Sequence, residues 1–289
     1  MRFHGWRGWV GGLPFHPEIS RIHGFEINEQ PWLPETLRNA LTEWLRALWE
    51  YSRAEVVIAP LIEAAIVPSG VKRIVDLCSG SSGPVIRVQA ELARRGLQIP
   101  VILTDKFPHR EAFWALTVNS RGGVAACLDS VDATSVPERL TGLRTLFNSF
   151  HHFRPAEARA ILNAACVARQ PIAIFEITER TVPKVLLCFA ASFLGCFLLI
   201  WRMRPHRPLW WIFTWLLPII PFMVGWDALV SHLRSYTSCE LRALTEGLPE
   251  GQNNAAWHWR EGHLAAPRGG VEISFLIGTP VLVPVPLSR

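Results

Sequence analysis

Apolar and polar positions change period three times along the chain. From Pro34, residues Leu37, Ala40, Leu41, Trp44, Leu45, Leu48 and Trp49 recur at steps of three and four. That spacing predicts an amphipathic helix, and Pro34 followed by Glu35 suits its first turn. A second helix is predicted over 54–66, ending before Pro68, Ser69 and Gly70. Short apolar runs then alternate with helical stretches. Strands are predicted over 73–77, 101–104, 124–128, 143–147 and 172–177. The clearest helix between them covers 155–167, with Ala158, Ile161, Leu162, Ala165 and Cys166 on one face. Such alternation argues for an α/β fold with a parallel sheet covered on both sides.

After Arg180 the pattern breaks. Residues 185–201 and 209–226 carry no charge, and the segment between them contains Arg202, Arg204 and Arg207. At ~1.5 Å per helical residue each run spans ~26 Å, slightly short of the ~30 Å hydrocarbon core of a bilayer. Pro218 and Pro221 interrupt the second run. Globular sequence lies on both sides of this hairpin, so a two-span anchor would translocate the arginine-rich turn, against the positive-inside tendency. A hairpin that dips into one leaflet is the favoured reading, beside a two-span anchor and an apolar cap packed on protein. Beyond it, Asp227 suits the cap of a short helix through Leu233, and Thr237-Ser238-Cys239-Glu240 reads as a capping box. Strands over 255–259 and 271–277 flank a Gly/Pro loop and read as an antiparallel pair. Residues 1–33 read as an irregular arm packed on something else, and the Pro-rich tail as lying along the surface.

Composition narrows the picture. The 289 residues suffice for one α/β domain with additions. Hydrophobic content is 49% and mean hydropathy +0.20, and the excess is local. Five of the 13 Trp (Trp201, Trp210, Trp211, Trp215, Trp226) fall in or beside the two apolar runs, where Trp and Arg suit a membrane interface. The net charge of +5 is dispersed, which argues against nucleic acid as a partner and is compatible with anionic lipid or substrate. The six cysteines lack metal-ligand spacing, so reduced thiols, a cytoplasmic location and no metal are expected. The opening MRFHGWRGWVGGLPFHPEIS has no continuous apolar core, so a signal peptide is not expected.

The stretch 71–105 carries the chemistry. An apolar run stops at Asp76, a loop of small residues runs from Cys78 to Gly83, and a helical stretch and second apolar run end on Asp105. A β-loop-α-β unit with an acid closing its second strand handles nucleotides, because small residues let backbone approach a ligand and the acid accepts from ribose hydroxyls. A dinucleotide loop would place a pyrophosphate on the helix N-terminus, where Pro84 lacks an N–H. No Gly-Lys-Ser/Thr follows, which excludes a P-loop.

Asp76-Leu77-Cys78-Ser79-Gly80-Ser81-Ser82-Gly83 resembles the first motif of class I S-adenosylmethionine-dependent methyltransferases, with Cys78 where glycine is common. The likeness extends in order to Asp105-Lys106, to Asp132-Ala133 after the third strand, to Asn148-Ser149-Phe150-His151-His152-Phe153 after the fourth, and to Glu176 and Glu179 at the fifth. It covers about residues 71–180. Within the family, Gln30-Pro31-Trp32, Trp226-Asp227 and Leu233-Arg234-Ser235-Tyr236 resemble a bacterial group with an apolar insertion after strand five.

The resemblance implies a Rossmann-like seven-stranded methyltransferase sheet, preceded over 1–70 by an arm and two helices that read as a helical lid over the nucleotide site or, equally, as cover of a sheet edge. The core would run over 71–182 and 227–289, interrupted by the hairpin 183–226. It implies S-adenosylmethionine as cofactor, held by Asp76, Cys78, Ser79, Gly80, Gly83, Asp105, Lys106, Asp132, Ala133 and Asn148. His151 or His152 would act as base, or pack and hydrogen-bond structurally. Glu176 and Glu179 would orient substrate, or pair with Arg180 or Arg154. Asp132 is also readable as a plain turn, and the Trp stripe of the first helix as core or as channel lining. The expected activity is methyl transfer to a small apolar acceptor, a lipid, quinone or other small molecule, at the inner face of a membrane reached through 185–226. The alternative is a membrane-associated binding or scaffold protein with this fold and no turnover.

Overall fold

A computed structural model describes residues 19–80, 83–108, 110–120, 122–248 and 256–281. The start of the arm, Ser81 and Ser82 of the loop, Ala255 and the Pro-rich tail from 282 lie outside the described residues.

The alternating runs build one seven-stranded sheet in the order β3-β2-β1-β4-β5-β7-β6. Strand β1 (Ile74–Leu77) pairs in parallel with β2 (Val101–Leu103) on one side and β4 (Leu143–Phe147) on the other. Strand β3 (Val124–Ala126) extends one edge, and β5 (Ile172–Glu176) continues beyond β4, all parallel. Strand β7 (Glu272–Pro280) runs antiparallel to β5 and to β6 (Trp257–Ala265). Five parallel strands closed by a reversed strand inserted before the last form the Rossmann-like methyltransferase sheet. The chain leaves β1 towards β2 and returns to β4, so the strand order reverses between β1 and β4. A crevice for ligands forms at the carboxyl ends of the strands at such a point.

Every residue of β1, β4 and β5 is buried, because helices cover both faces. On one face, Ile58 and Ile62 of α2 (Glu55–Ser69) and Val88 and Leu92 of α3 (Val85–Arg94) pack with Ile74, Leu103 and Phe175. Phe113 of α4 (Arg110–Asn119) joins that cluster. On the other face, Ile161 and Leu162 of α5 (Pro155–Val167) and Leu241 and Leu244 of α9 (Ser238–Thr245) pack with Val75, Leu146 and Ile174. Helix α2 is therefore sheet cover. It continues past Pro68 and ends at Gly70, whose φ of +66° suits a left-handed helix stop.

A third cluster holds the apolar insertion. Leu41, Trp44 and Ala47 of α1 (Glu35–Ser52) pack against Cys196 and Leu199 of α6 (Val182–Leu199) and against Ile220 and Met223 of α8 (Ile219–Arg234). The Trp stripe of α1 is core: Trp44 joins this cluster and Trp49 the sheet cluster. Between α6 and α8 the chain passes α7 (Pro208–Trp211) and a π-helical turn over Ile212–Leu216, then bends by 77° before α8. Pro218 sits at that bend as the N-cap residue of α8. The arginine turn is tied to α1, since Arg46 donates to the Arg202 carbonyl at 2.9 Å and the Arg204 amide donates to Glu43 at 3.2 Å.

Two elements differ from expectation. Helix α8 runs unbroken through Trp226 and Asp227, so Asp227 caps nothing in its own helix. Its carboxylate instead accepts the Ile27 and Asn28 amides, at 2.6 and 3.0 Å, and terminates a turn of the arm. Strand β6 begins near the expected place and continues to Ala265, because its register with β7 is unbroken over nine residues. The capping box at Thr237 forms as expected and opens α9.

Since Trp44 joins α1 to the hairpin, Trp44→Ala is expected to cost roughly 3–5 kcal/mol of stability. Urea denaturation of the full chain measures it, and a loss below roughly 1 kcal/mol would place the hairpin's anchor elsewhere.

Candidate functional site

The site grows from the loop after β1. Asp76, at the end of a fully buried strand, is 3% exposed and has both carboxylate oxygens occupied. Thr145 Oγ1 donates to Oδ1 at 2.6 Å, and Ser79 Oγ donates to Oδ2 at 2.7 Å. Burial pushes the Asp76 carboxyl up to about 7 against the pull of these two hydroxyls, and the nearby Asp105 adds to the rise. Asp76 and Ser79 thus hold the loop from beneath. Ser79 also donates its amide to the Thr104 carbonyl at 3.0 Å, tying the loop to the end of β2.

Above them the loop turns through left-handed conformations at Cys78 (φ +55°) and Gly80 (φ +54°). Burial, with the charges of Asp105, Asp76 and Asp132, raises the Cys78 thiol to about 12, so it stays protonated. At Gly80 and Gly83 an added Cβ meets no atom within 4 Å among the described residues, so the space over the loop is open. Asp105 faces that space. Its Oδ2 accepts the Gly80 amide and its Oδ1 the Phe107 amide, each at 2.8 Å. A carboxylate has about four acceptor positions, so two remain for a ligand's hydroxyls.

The remaining expected contacts serve the frame of this crevice. Asp132 accepts the Thr134 amide and hydroxyl at 2.9 and 2.6 Å and pairs with Lys106 at 2.8 Å. The Lys106 bond and then Thr134 hold Asp132 down at about 2. It forms the plain turn that was the second reading, while Lys106 is exposed beside it and Ala133 is buried beneath. Asn148 adopts φ +48° and accepts the Ile177 amide at 3.3 Å, which joins the ends of β4 and β5.

His151, His152 and Glu176 meet at the turn after β4. Glu176 accepts the Ser149 and Phe150 amides through Oε1, at 2.9 and 2.7 Å, and His151 Nδ1 lies 2.5 Å from its Oε2. It caps the turn after β4. His151 is 1% exposed. Burial alone would lower its pKa, but Glu176 and Glu26 outweigh that and raise it to about 10. Glu176 and Glu26 thus face the two ring nitrogens of His151 and hold the ring between them. His152 keeps about a third of its side chain exposed and lies 2.5 Å from Glu29 through Nδ1. Glu179 pairs with Lys184 and lies 3.5 Å from His263, neither of which was expected. Arg180 pairs with Glu240 at 2.7 Å.

What sequence reading missed is the arm. Arg21 donates to the His151 and Phe153 carbonyls at 3.0 and 2.9 Å, with its guanidinium 4.2 Å over the Tyr236 ring. Arg234 forks Glu29 with two bonds of 2.8 Å, and Ser231 donates to Glu26 at 2.8 Å. Residues 21–29 therefore strap the end of α8 onto the histidine turn. The available signal was the Leu233-Arg234-Ser235-Tyr236 segment, whose partners Glu26, Glu29 and Arg21 stand some two hundred residues away.

No protein-family model matches the chain, and no curated protein matches it. Among solved structures, the plantazolicin methyltransferase in complex with SAH is 11% identical, with 85% of each chain covered and a TM-score of 0.48. The mitomycin 7-O-methyltransferase is 16% identical over 77% of this chain and 53% of its own, with a TM-score of 0.41. A Rhodobacter sphaeroides protein assigned to the zinc-dependent alcohol dehydrogenases is 13% identical over 86% of this chain and all of its own, with a TM-score of 0.45. The chain thus spans about half the length of the mitomycin enzyme, and the overlaps are loose, so strand order carries the assignment.

Asp76 supplies a test of this geometry. Below about pH 4 its carboxyl is protonated folded or unfolded; between about 4 and 7 only the folded protein keeps the proton. Its contribution to stability therefore falls as pH rises and levels off above about 7. Asp76→Asn removes that dependence, so the melting temperature of wild type minus variant is expected to be larger at about pH 5 than at about pH 8. A difference constant across that range in thermal scans would contradict the buried carboxyl. The chain has the fold of the class I S-adenosylmethionine-dependent methyltransferases.

Proposed function

We propose that the protein transfers a methyl group from S-adenosylmethionine to a small apolar acceptor at the cytosolic face of a membrane. The observation that carries the cofactor is Asp105, oriented by two backbone amides beside a loop with open space over Gly80 and Gly83. Asp105 would hold the ribose hydroxyls, and the backbone of Cys78 to Gly80 would lie against the rest of the ligand. Pro84 is the N-cap residue of α3 and lacks an N–H, which favours a ligand without a pyrophosphate. S-adenosylmethionine supplies a methyl group on a sulfonium, already a strong electrophile. The chain's task is then alignment and exclusion of water. In the transfer the acceptor atom bonds to methyl, the methyl–sulfur bond breaks, S-adenosylhomocysteine leaves, and any acceptor proton is lost. With His151 enclosed between Glu176 and Glu26, and Glu176 capped by two amides, the described residues favour an acceptor that needs little base assistance. The same capped groups favour the second reading, a protein that binds cofactor without turnover.

The acceptor class rests on the hairpin. One face of α6 and α8 is seated on α1, while Leu186, Leu194 and Leu198 of α6, Phe222 of α8, and Trp215 and Leu216 of the π-helical turn between them are more than half exposed. An apolar face this wide marks an interaction surface. Exposed Arg202, Arg204 and Arg207 border it and suit anionic headgroups. Helix α6 is long and apolar enough to cross a membrane, but a helix glued along one side to a soluble domain suits insertion in the plane of one leaflet. The six free cysteines fit a reducing compartment.

Calorimetric titration with S-adenosylhomocysteine is expected to show one site, and Asp105→Ala to weaken it by roughly 100-fold, the loss of one or two hydrogen bonds to a charged group. Absence of binding to wild type would sink the proposal, while binding without methyl transfer to quinone or lipid extracts would select the second reading. For the surface, Leu186→Asp, Leu198→Asp and Leu216→Asp together remove roughly 4–9 kcal/mol of apolar transfer. This triple variant is expected to lose at least roughly 100-fold in partitioning to anionic vesicles with cofactor binding intact. Equal co-sedimentation of both proteins would refute membrane docking.

A further inference from the structure

The arm and the turn after β4 bring together three side chains that are far apart in sequence. Glu26, His151 and His152 offer one carboxylate oxygen and two ring nitrogens, all within 4.8 Å of one another. His151 Nε2 lies 3.4 Å from Glu26 Oε1, and His152 Nε2 lies 3.9 Å from Glu26 Oε2. The two rings are 4.3 Å apart. Each ring has its other nitrogen 2.5 Å from a different carboxylate, Glu176 for His151 and Glu29 for His152. An imidazole that gives its Nδ1 proton to a carboxylate presents an Nε2 lone pair in a fixed direction, which is how carboxylates orient metal-bound histidines.

A second observation points the same way. His151 is 1% exposed, and its Nε2 faces Glu26 Oε1 at 3.4 Å without forming a well-aligned hydrogen bond. A buried nitrogen left so costs about 1–3 kcal/mol. A metal would satisfy it. Metal–ligand bonds of ~2.0–2.2 Å in a tetrahedral shell place donor atoms roughly 3.4 Å apart, which the Glu26–His151 pair already meets. The His152–Glu26 separation of 3.9 Å is somewhat longer.

The surrounding charges agree. Arg234 Nη1 lies 3.4 Å from Glu26 Oε1 and 3.3 Å from His152 Nδ1, but its two short bonds go to Glu29, and Ser231 donates to Glu26 Oε1. Three carboxylates, Glu26, Glu29 and Glu176, stand against this one guanidinium. A metal at His151 Nε2 would take the place of the proton there, so that both rings are neutral in the metal-bound state and the acids face a dication.

We propose that Glu26, His151 and His152 bind a divalent transition metal, zinc being the best match to two nitrogens and one oxygen, and that the metal clasps the arm onto the turn after β4. The sequence reading expected no metal because the ligands have no local spacing. The site is independent of the methyl-transfer reading, and its test needs no turnover.

The full chain, purified without chelator, is assayed for metal by mass spectrometry, then stripped and titrated with Zn2+ against a chromophoric chelator. About one Zn2+ per chain is expected, with a higher unfolding temperature when it is bound. Glu26→Gln and His152→Gln are each expected to weaken binding by more than roughly 100-fold, and Glu29→Gln, which only orients His152, by roughly 10–100-fold. Circular dichroism checks the folding of each variant. If Glu26→Gln does not fold, His152→Gln carries the comparison. Failure of wild type to bind Zn2+, Fe2+ or Mn2+ with a Kd below on the order of 10 µM would overturn the proposal. Equal Zn2+ affinity in wild type and His152→Gln would do the same.

Discussion

A carboxylate at the end of a buried strand has to find its donors close by, and Glu176 finds them in the turn that follows the neighbouring strand. It accepts two consecutive amides, Ser149 and Phe150, and holds His151 by a third contact. The bond fixes the exit of β4 to the exit of β5. Because His151 is thereby locked, its ring, its carbonyl and the neighbouring His152 become the platform on which Glu26, Glu29 and Arg21 of the arm are laid. Arg234 then clamps the arm from α8. The N-terminal arm, the fourth and fifth strands and the helix after the insertion thus depend on one buried acid.

The crevice beside it follows the same physics with a second acid. Asp76 is sealed under the loop, and its two hydroxyl donors come from adjacent elements, Thr145 of β4 and Ser79 of the loop itself. Asp105 is satisfied by backbone amides and keeps capacity for a ligand. Two acids that look equivalent in sequence are separated by burial, one into the frame and one towards the open space.

The hairpin solves a different problem. An apolar helix pair attached to a soluble domain needs partners for only as much surface as the domain offers. Helix α1 is amphipathic enough to cover one side, and Trp44 and Leu41 do so. The 77° bend ahead of Pro218 turns the returning chain so that α8 lies back along α6 and delivers Asp227, Ser231 and Arg234 to the arm. The outer side stays apolar and uncovered. The segments around Trp226-Asp227 and Leu233-Arg234-Ser235-Tyr236 gain their meaning here: Trp226 donates to the Phe25 carbonyl, Asp227 caps the turn of the arm, and Tyr236 donates to the Phe153 carbonyl.

By itself the sequence determined the order of strands and helices, the glycine loop between Asp76 and Asp105, the capping box at Thr237 and the two apolar runs. Each of these is written in local periodicity or in short-range chemistry, where neighbours in sequence are neighbours in space. Only the tertiary structure decided which acids are engaged within the frame, because burial depends on elements that arrive from elsewhere: Thr145 for Asp76, the Ser149 and Phe150 amides for Glu176. It also decided that His151 is enclosed between two acids, since the second, Glu26, comes from an arm with no periodicity to read. The same long separation hid the meeting of Glu26 with the histidine pair. No pattern within a single segment encodes a contact made across 125 residues of chain.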